Sequence, residues 1–243
     1  NNSDIVINLI GILFENRKQK FSNIHSDFPE LIAKYCSESE VKKFIHVSAI
    51  GANINSNSLY QQSKFNGEQK ALANFKNTII IRPSVVCGVE DNFTNLFAKL
   101  SLSPVIPVVR PNYKFQPILV DDVATAIVKA IEIKKNEGKI YEIGGPTIIS
   151  FKDMVKSIIS TINKKRFIVE MPMPLAKLQA TLFSLMPKPL LTRDQCEILN
   201  EADNVVSNNH LTLKDLNIKP TDVQQAMSKW LWRFRTGGEF AKI

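Results

Sequence analysis

The runs DIVINLIGI, KKFIHVSAIGA and NTIIIRPSVVCG are apolar nearly throughout their strand portions rather than on alternate residues. That is the pattern of strands covered on both faces, and it excludes a sheet with one face in water. Each such run is followed by a stretch with helical periodicity. DIVINLIGI precedes FPELIAKYCSES, KKFIHVSAIGA precedes SLYQQSKFNGEQKALANF, and NTIIIRPSVVCG precedes NFTNLFAKLS. The alternation predicts an α/β fold, a Rossmann-like doubly wound parallel sheet.

After residue 115 the order changes. QPILV leads into DDVATAIVKAIEI, where Asp121 or Asp122 is placed to cap a helix. KIYEIGGP reads as a strand ending in a turn, FKDMVKSIISTINKK as a helix and RFIVEMP as a short strand. Beyond Pro172 the pattern is helical and broken by prolines: PLAKLQATLFSLMPKPL, TRDQCEILNEA, LTLKDLNI and PTDVQQAMSKWLWRF. The expected organisation is a Rossmann-like part over residues 1–150 and a smaller, α-rich part over 151–243. No internal repeat is visible.

With 243 residues, 44% of them apolar, there is chain enough for one sizeable core. The net charge of +8 comes mainly from lysines scattered singly or in short runs such as Lys42-Lys43 and Lys164-Lys165. No stripe of arginines interleaved with aromatics accompanies them, so nucleic acid is not expected as a partner. A solvated lysine-rich exterior is favoured over an anionic membrane or an acidic partner. Cys36, Cys87 and Cys196 are widely spaced, and His25, His46 and His210 lack ligand spacing, so reduced thiols and no metal site are expected. His46, inside a strand pattern, reads as a strand residue. No apolar run reaches the roughly twenty residues of a membrane-spanning helix.

Open parallel sheets bind ligands beyond the carboxyl ends of their strands. Here those ends carry Asn8 and Gly11, then Ser48 and Gly51, then Arg82-Pro83 followed by SVVCG. Directly after the second strand, Tyr60 stands four residues before Lys64, so the phenol and the ammonium share one helix face. The spacing alone is weak, since Lys64 is also four residues from Glu68 and a solvated face would look the same. Position strengthens it: a phenol at the mouth of the sheet near a fixed ammonium is expected to have a lowered pKa and to exchange protons with a carbonyl or alcohol.

The segments VINLIGIL, FIHVSAIGA, LYQQSKFNGE, IIIRPSVVCGVED, FQPILVDDVATAI, YEIGGP and LTRDQCEILNEADNVV carry a resemblance. The chain resembles the extended or atypical short-chain dehydrogenases/reductases, the NAD-dependent epimerase/dehydratase-like group. Within that group it is most similar to the nucleotide-binding accessory subunits of respiratory complex I (NADH:ubiquinone oxidoreductase) and their bacterial relatives. The resemblance implies NADP or NAD as cofactor and makes Tyr60 the general acid/base. Lys64 would hold the ribose and Ser48 would stand at the catalytic strand end. Asn8, Gly11, Pro83, Val85 and Val86 would line the cofactor crevice, with Ser48, Tyr60 and Lys64 also facing it.

It also implies a partner in a respiratory complex or at a membrane surface. The implied location is a bacterial cytoplasm, peripheral to the inner membrane, or the matrix side of a mitochondrion. Two departures matter. The substrate-polarising hydroxyl of active relatives stands one or two residues beyond Ser48, where this chain has Ala49 and Ile50, which favours binding over turnover. The family's opening strand, Gly-x-x-Gly-x-x-Gly turn and helix have no counterpart among the nine glycines. The chain is therefore expected to match the later two-thirds of a family member, with the strand DIVINLI left as an apolar edge.

Two features lie outside this scheme. Leu175, Leu178, Leu182 and Leu185 recur at helical spacing, as for packing against the sheet or, more sharply, as a lid or an interfacial helix. Trp230 and Trp232 cannot both face inward on one helix, so one is expected at a surface. Three functional readings stay open: a nucleotide-binding protein with a structural or assembly role, an active oxidoreductase or epimerase, and a remnant that binds no cofactor.

Overall fold

The computed structural model of the chain describes residues 3–134, 137–184 and 186–239. Its centre is a parallel sheet of β1 (Ile5–Asn8), β2 (Lys43–Val47), β3 (Thr78–Pro83) and β8 (Ile140–Ile143), in the order β1-β2-β3-β8. The register pairs Ile7 with Ile45, Ile45 with Ile79 and Ile81 with Tyr141. β3 is buried along its whole length, as its unbroken apolar run requires.

Helices cover both faces. On one, Phe44 packs with Ala33 and Cys36 of α1 (Phe28–Glu38) and Ala71 of α2 (Leu59–Asn74). On the other, Ile45, Ile79 and Ile81 pack on Val123, Ala126 and Ala130 of α4 (Val120–Glu132). This is the doubly wound arrangement expected from the sequence. At the edge of the sheet, Ile5 and Ile7 of β1 stay exposed, and so do Leu9 and Ile10 beyond it. Cys36, Cys87 and Cys196 are free and buried.

The strand pattern NTIIIRPSVVCG divides. β3 ends at Pro83, and β4 (Val86–Cys87) leaves the sheet to pair with β7 (Ile118–Leu119). Asn204 drives the bend, because its side-chain oxygen accepts from Ser84 Oγ at 2.6 Å and Val85 N at 3.2 Å. The expected aspartate cap of α4 is corrected: the helix starts at Val120 with Leu119 as N-cap and no side-chain cap. Asp121 and Asp122 fall in the first turn, where they complement the helix dipole, and Asp122 accepts from Thr221 N at 2.7 Å.

A second core joins α3 (Asn92–Leu100), β5 (Val105–Val109), β6 (Lys114–Phe115), β9 (Ile149–Ser150) and α5 (Phe151–Thr161) to the carboxyl-terminal helices. Those helices are α6 (Met173–Phe183), α7 (Arg193–Asn200), α8 (Val223–Ala226) and α9 (Ser228–Leu231). β5 pairs in parallel with β10 (Phe167–Met171), and β6 pairs antiparallel with β9. LTLKDLNI holds one 3-10 turn, Leu213–Leu216, rather than a helix. Trp230 is buried and donates from Nε1 to Thr94 Oγ1 at 3.1 Å, while Trp232 is 52% exposed.

Candidate functional site

A cleft of about 850 Å³ opens at the carboxyl ends of β2 and β3. Ser48, Tyr60, Pro83, Val85 and Val86 all line it, so these sequence-predicted positions converge on one space. Asn8, Gly11 and Lys64 are not among its lining residues. Tyr60 and Lys64 share one face of α2, with the ammonium 5.9 Å from the ring centre. Lys64 Nζ donates to Val47 O at 3.3 Å, which ties it to the end of β2. A methyl group on Gly11 would stand 3.3 Å from Lys64 Nζ, so the bare backbone of the loop after β1 forms a close cradle over the ammonium.

The polar side chains behind the cleft have determinate roles. Asn8 Oδ1 accepts from Ile10 N at 3.0 Å, so its Nδ2 faces His46 Nδ1, 3.1 Å away, as donor. The His46 proton therefore sits on Nε2, which is buried without a hydrogen-bond partner, as is Ser48 Oγ. Residues 46 and 48 project from the same face of the strand. Orphaned buried donors are costly, and both suit a polar ligand atom.

Sequence reasoning passed over His25. It lies on a π-helical turn, Ser22–Asp27, that runs into α1. Gly67 allows the approach, since a Cβ there would stand 1.8 Å from His25 O. The His25 ring meets the Tyr60 ring edge-on at 5.2 Å. Its Nε2 accepts from Ile12 N at 3.0 Å, so Nδ1 carries the proton towards Ser63 Oγ, also at 3.0 Å. Burial, with Lys64 nearby, lowers the His25 pKa from 6.5 to about 3, and the same causes take His46 to about 3. Both imidazoles are neutral hydrogen-bonding parts of the site rather than proton stores at neutral pH.

The expected lowering of the Tyr60 pKa is corrected. Burial, followed by the charge of Asp194, raises it from 10.0 to about 12. Burial also lowers Lys64 from 10.5 to about 8, against the pull of Glu68. Glu68 does not pair with Lys64. It accepts from Arg82 Nε at 2.9 Å and Nη2 at 2.6 Å, while Arg82 Nη1 reaches Glu142 at 3.2 Å. This buried network leaves Lys64 facing the cradle.

Sequence reasoning also passed over Asp194 and Glu201, which come from α7 and the residue after it to hold the start of α2. Asp194 accepts from Ser58 Oγ at 2.8 Å, Leu59 N at 2.7 Å and Tyr60 N at 3.3 Å. Glu201 accepts from Asn57 N at 2.6 Å. Asp194 thereby takes the amides of Leu59 and Tyr60 and Ser58 Oγ takes that of Gln61, so these donors at the start of the Tyr60 helix are not free for a phosphate. The available signal was the segment LTRDQCEILNEADNVV, whose Asp194 holds the start of α2 and whose Asn204 holds Ser84 and Val85.

A nicotinamide dinucleotide has a ribose and an amide end; of the polar groups that could meet them, Ser48 lines the cleft, whereas Lys64 and His46 are buried and are not among its lining residues. A glycine-rich cradle for its pyrophosphate is not found among the nine glycines.

Comparisons with known proteins bear on the family and the fold. The RmlD substrate binding domain profile matches residues 51–235. The chain is 33% identical over 237 residues to mouse NADH dehydrogenase [ubiquinone] 1 alpha subcomplex subunit 9, mitochondrial, covering 96% of this chain and 63% of that protein. It thus spans less than two-thirds of the mouse relative. The Dictyostelium discoideum protein of the same name is 30% identical, with 99% of this chain and 68% of that protein covered. The solved structure of MoeE5 in complex with UDP-glucose and NAD superposes with a TM-score of 0.70 at 10% identity, covering 94% of this chain and 78% of that one. This likeness shows the Rossmann-like fold. On the profile match and these identities, the chain belongs to the RmlD substrate binding domain family, as a homologue of the alpha subcomplex subunit 9 of NADH dehydrogenase.

Proposed function

We propose that this chain is part of an NAD(P)H-binding protein of the short-chain dehydrogenase/reductase type, with a structural or assembly role linked to respiratory complex I or quinone metabolism. The observation that carries this reading is the pairing of a cradle suited to a ribose, Lys64 beneath Gly11, with a poor proton-transfer site. Tyr60 is held as a neutral phenol, its pKa raised to about 12, and the residues after Ser48 that line the cleft are Ala49 and Ile50. A nicotinamide group, when bound, supplies hydride chemistry. Lys64 would orient its ribose, and Ser48 and His46 would donate to polar atoms nearby.

The exposed face of α6 supports docking on a respiratory partner or membrane surface. Leu175, Leu178 and Leu182 are 53%, 60% and 63% exposed, contrary to the packing expected for them. Leu185 lies outside the described residues. Arg17, Lys18 and Arg193, together with Glu15 and Asp194, line a neighbouring cleft of about 890 Å³. Among the described residues, no helix is long and apolar enough to cross a membrane.

A second reading is an active oxidoreductase or epimerase that uses Tyr60 and Lys64, favoured by the unpartnered Ser48 hydroxyl. A third is a remnant that binds no cofactor. Calorimetric titration with NADH and with NADPH, on this chain and on a version extended upstream by the family's phosphate-binding βα units, separates them. The first reading expects binding by the extended form, weakened by about tenfold or more in Lys64→Ala and unchanged in Tyr60→Phe. Turnover abolished by Tyr60→Phe would establish the second reading, and absence of binding in both forms the third.

A further inference from the structure

The cleft beyond Tyr60 and Ser48 has a chemistry unlike that needed for the nucleotide sugar in the superposed UDP-glucose complex. Among the described residues that line it there is no Arg or Lys, whereas Glu90 and Asp91 are both present. A nucleoside diphosphate carries two charged phosphates, which proteins hold with arginine forks, lysines or free helix amino termini. The two nearest helix starts are taken. Asp194 fills that of α2, and Asp91 caps α3 by accepting from Thr94 N and Thr94 Oγ1. Arg233 stands behind the wall, bound through Nη2 to Val89 O and to Asn95 Oδ1 at 2.7 Å. Arg110 is bound to the carbonyls of Leu199 and Glu201.

What faces the space is mainly apolar: Ile50, Val86, Val89, Phe93, Phe115 and Ile198 are among its lining, beside neutral polar side chains such as Gln61, Asn92 and Gln195. The Ser48 hydroxyl at its inner end is buried without a partner.

We propose that this cleft takes an uncharged, mainly apolar molecule carrying one carbonyl or hydroxyl, which Ser48 and Tyr60 bind, and that it rejects nucleoside-diphosphate sugars. Its volume, about 850 Å³, is in the range of sites for such ligands. The proposal rests on the reading that Ser48 and Tyr60 mark the ligand end of the cleft, and it names the ligand class for either functional reading.

The test is fluorescence titration of the full chain with the neutral probe N-phenyl-1-naphthylamine, followed by displacement with 2-undecanone, undecane and UDP-glucose. The expected result is displacement by 2-undecanone at a concentration about tenfold or more below that needed with undecane, and none by UDP-glucose. Val89→Glu and Val120→Glu change rim residues that are 55% and 47% exposed, so the fold should survive them. Each should weaken the probe by about tenfold or more, whereas Leu178→Ser with Leu182→Ser, on the separate α6 face, should not. Displacement by UDP-glucose, equal potency of undecane, or probe binding lost only in the α6 variant would overturn the proposal. No nucleotide cofactor is present in this assay, so a chain that fails to bind NADH can still pass it, and one that binds NADH can still fail.

Discussion

At the residue scale, the site is governed by who neutralises whom. Arg82 holds Glu68 in a two-pronged contact and reaches Glu142, with all three side chains buried, so Glu68 is not available to Lys64. Arg82→Met would leave two buried carboxylates without their cation and should cost about 3–5 kcal/mol of folding stability, read by urea denaturation. A loss below about 1 kcal/mol would mean that the pair is solvated and the ammonium not set apart. Tyr60 and Lys64 were legible as a pair from their spacing of four. Their ionisation was not, because it depends on burial and on Asp194, which is 134 residues away in the chain.

At the scale of elements, α7 is the piece whose role the sequence concealed. TRDQCEILNEA has the helical period, and Thr192 with Gln195 forms its capping box. Nothing in that pattern says that Asp194 turns outward to cap another helix. Asp194→Ala should destabilise the chain by about 0.5–2 kcal/mol through the lost cap. It should also lower the Tyr60 pKa, since a negative charge that opposes ionisation is removed. A spectrophotometric titration of tyrosinate, with Tyr60→Phe as blank, checks this, and an unmoved pKa would assign the shift to burial alone. β5 was missed for a different reason. VIPVV has Pro107 at its centre, and a proline is tolerated there because the strand pairs on a single side, with β10.

At the scale of the whole molecule, acid should unfold the protein through its interior histidines. His25 and His46 have pKa values of about 3 when folded against an ordinary 6.5, so in between the unfolded chain binds more protons. Stability is therefore fully present above pH 6.5 and falls as the pH drops towards 3, by on the order of a few kcal/mol in all. Glu30, lowered to about 2 by Lys34 and Lys70, adds a loss of the same sign from about pH 4.5 downwards. Melting temperatures from pH 7.5 to 4 in the chain and in His46→Asn isolate the histidine share, and parallel profiles would remove His46 from the account.

Sequence alone determined the sheet and its layering, because runs such as TIIIRP are stable only when both faces are covered. It also brought Ser48, Tyr60 and Pro83 to one end of that sheet, since strand direction and helix period are local properties. Only the tertiary structure decided the charge state of Tyr60, the neutral tautomers of His25 and His46, the exposure of the α6 leucines and the lack of cations in the cleft. Those depend on burial and on partners distant in sequence, and neither is written in any one segment of the chain.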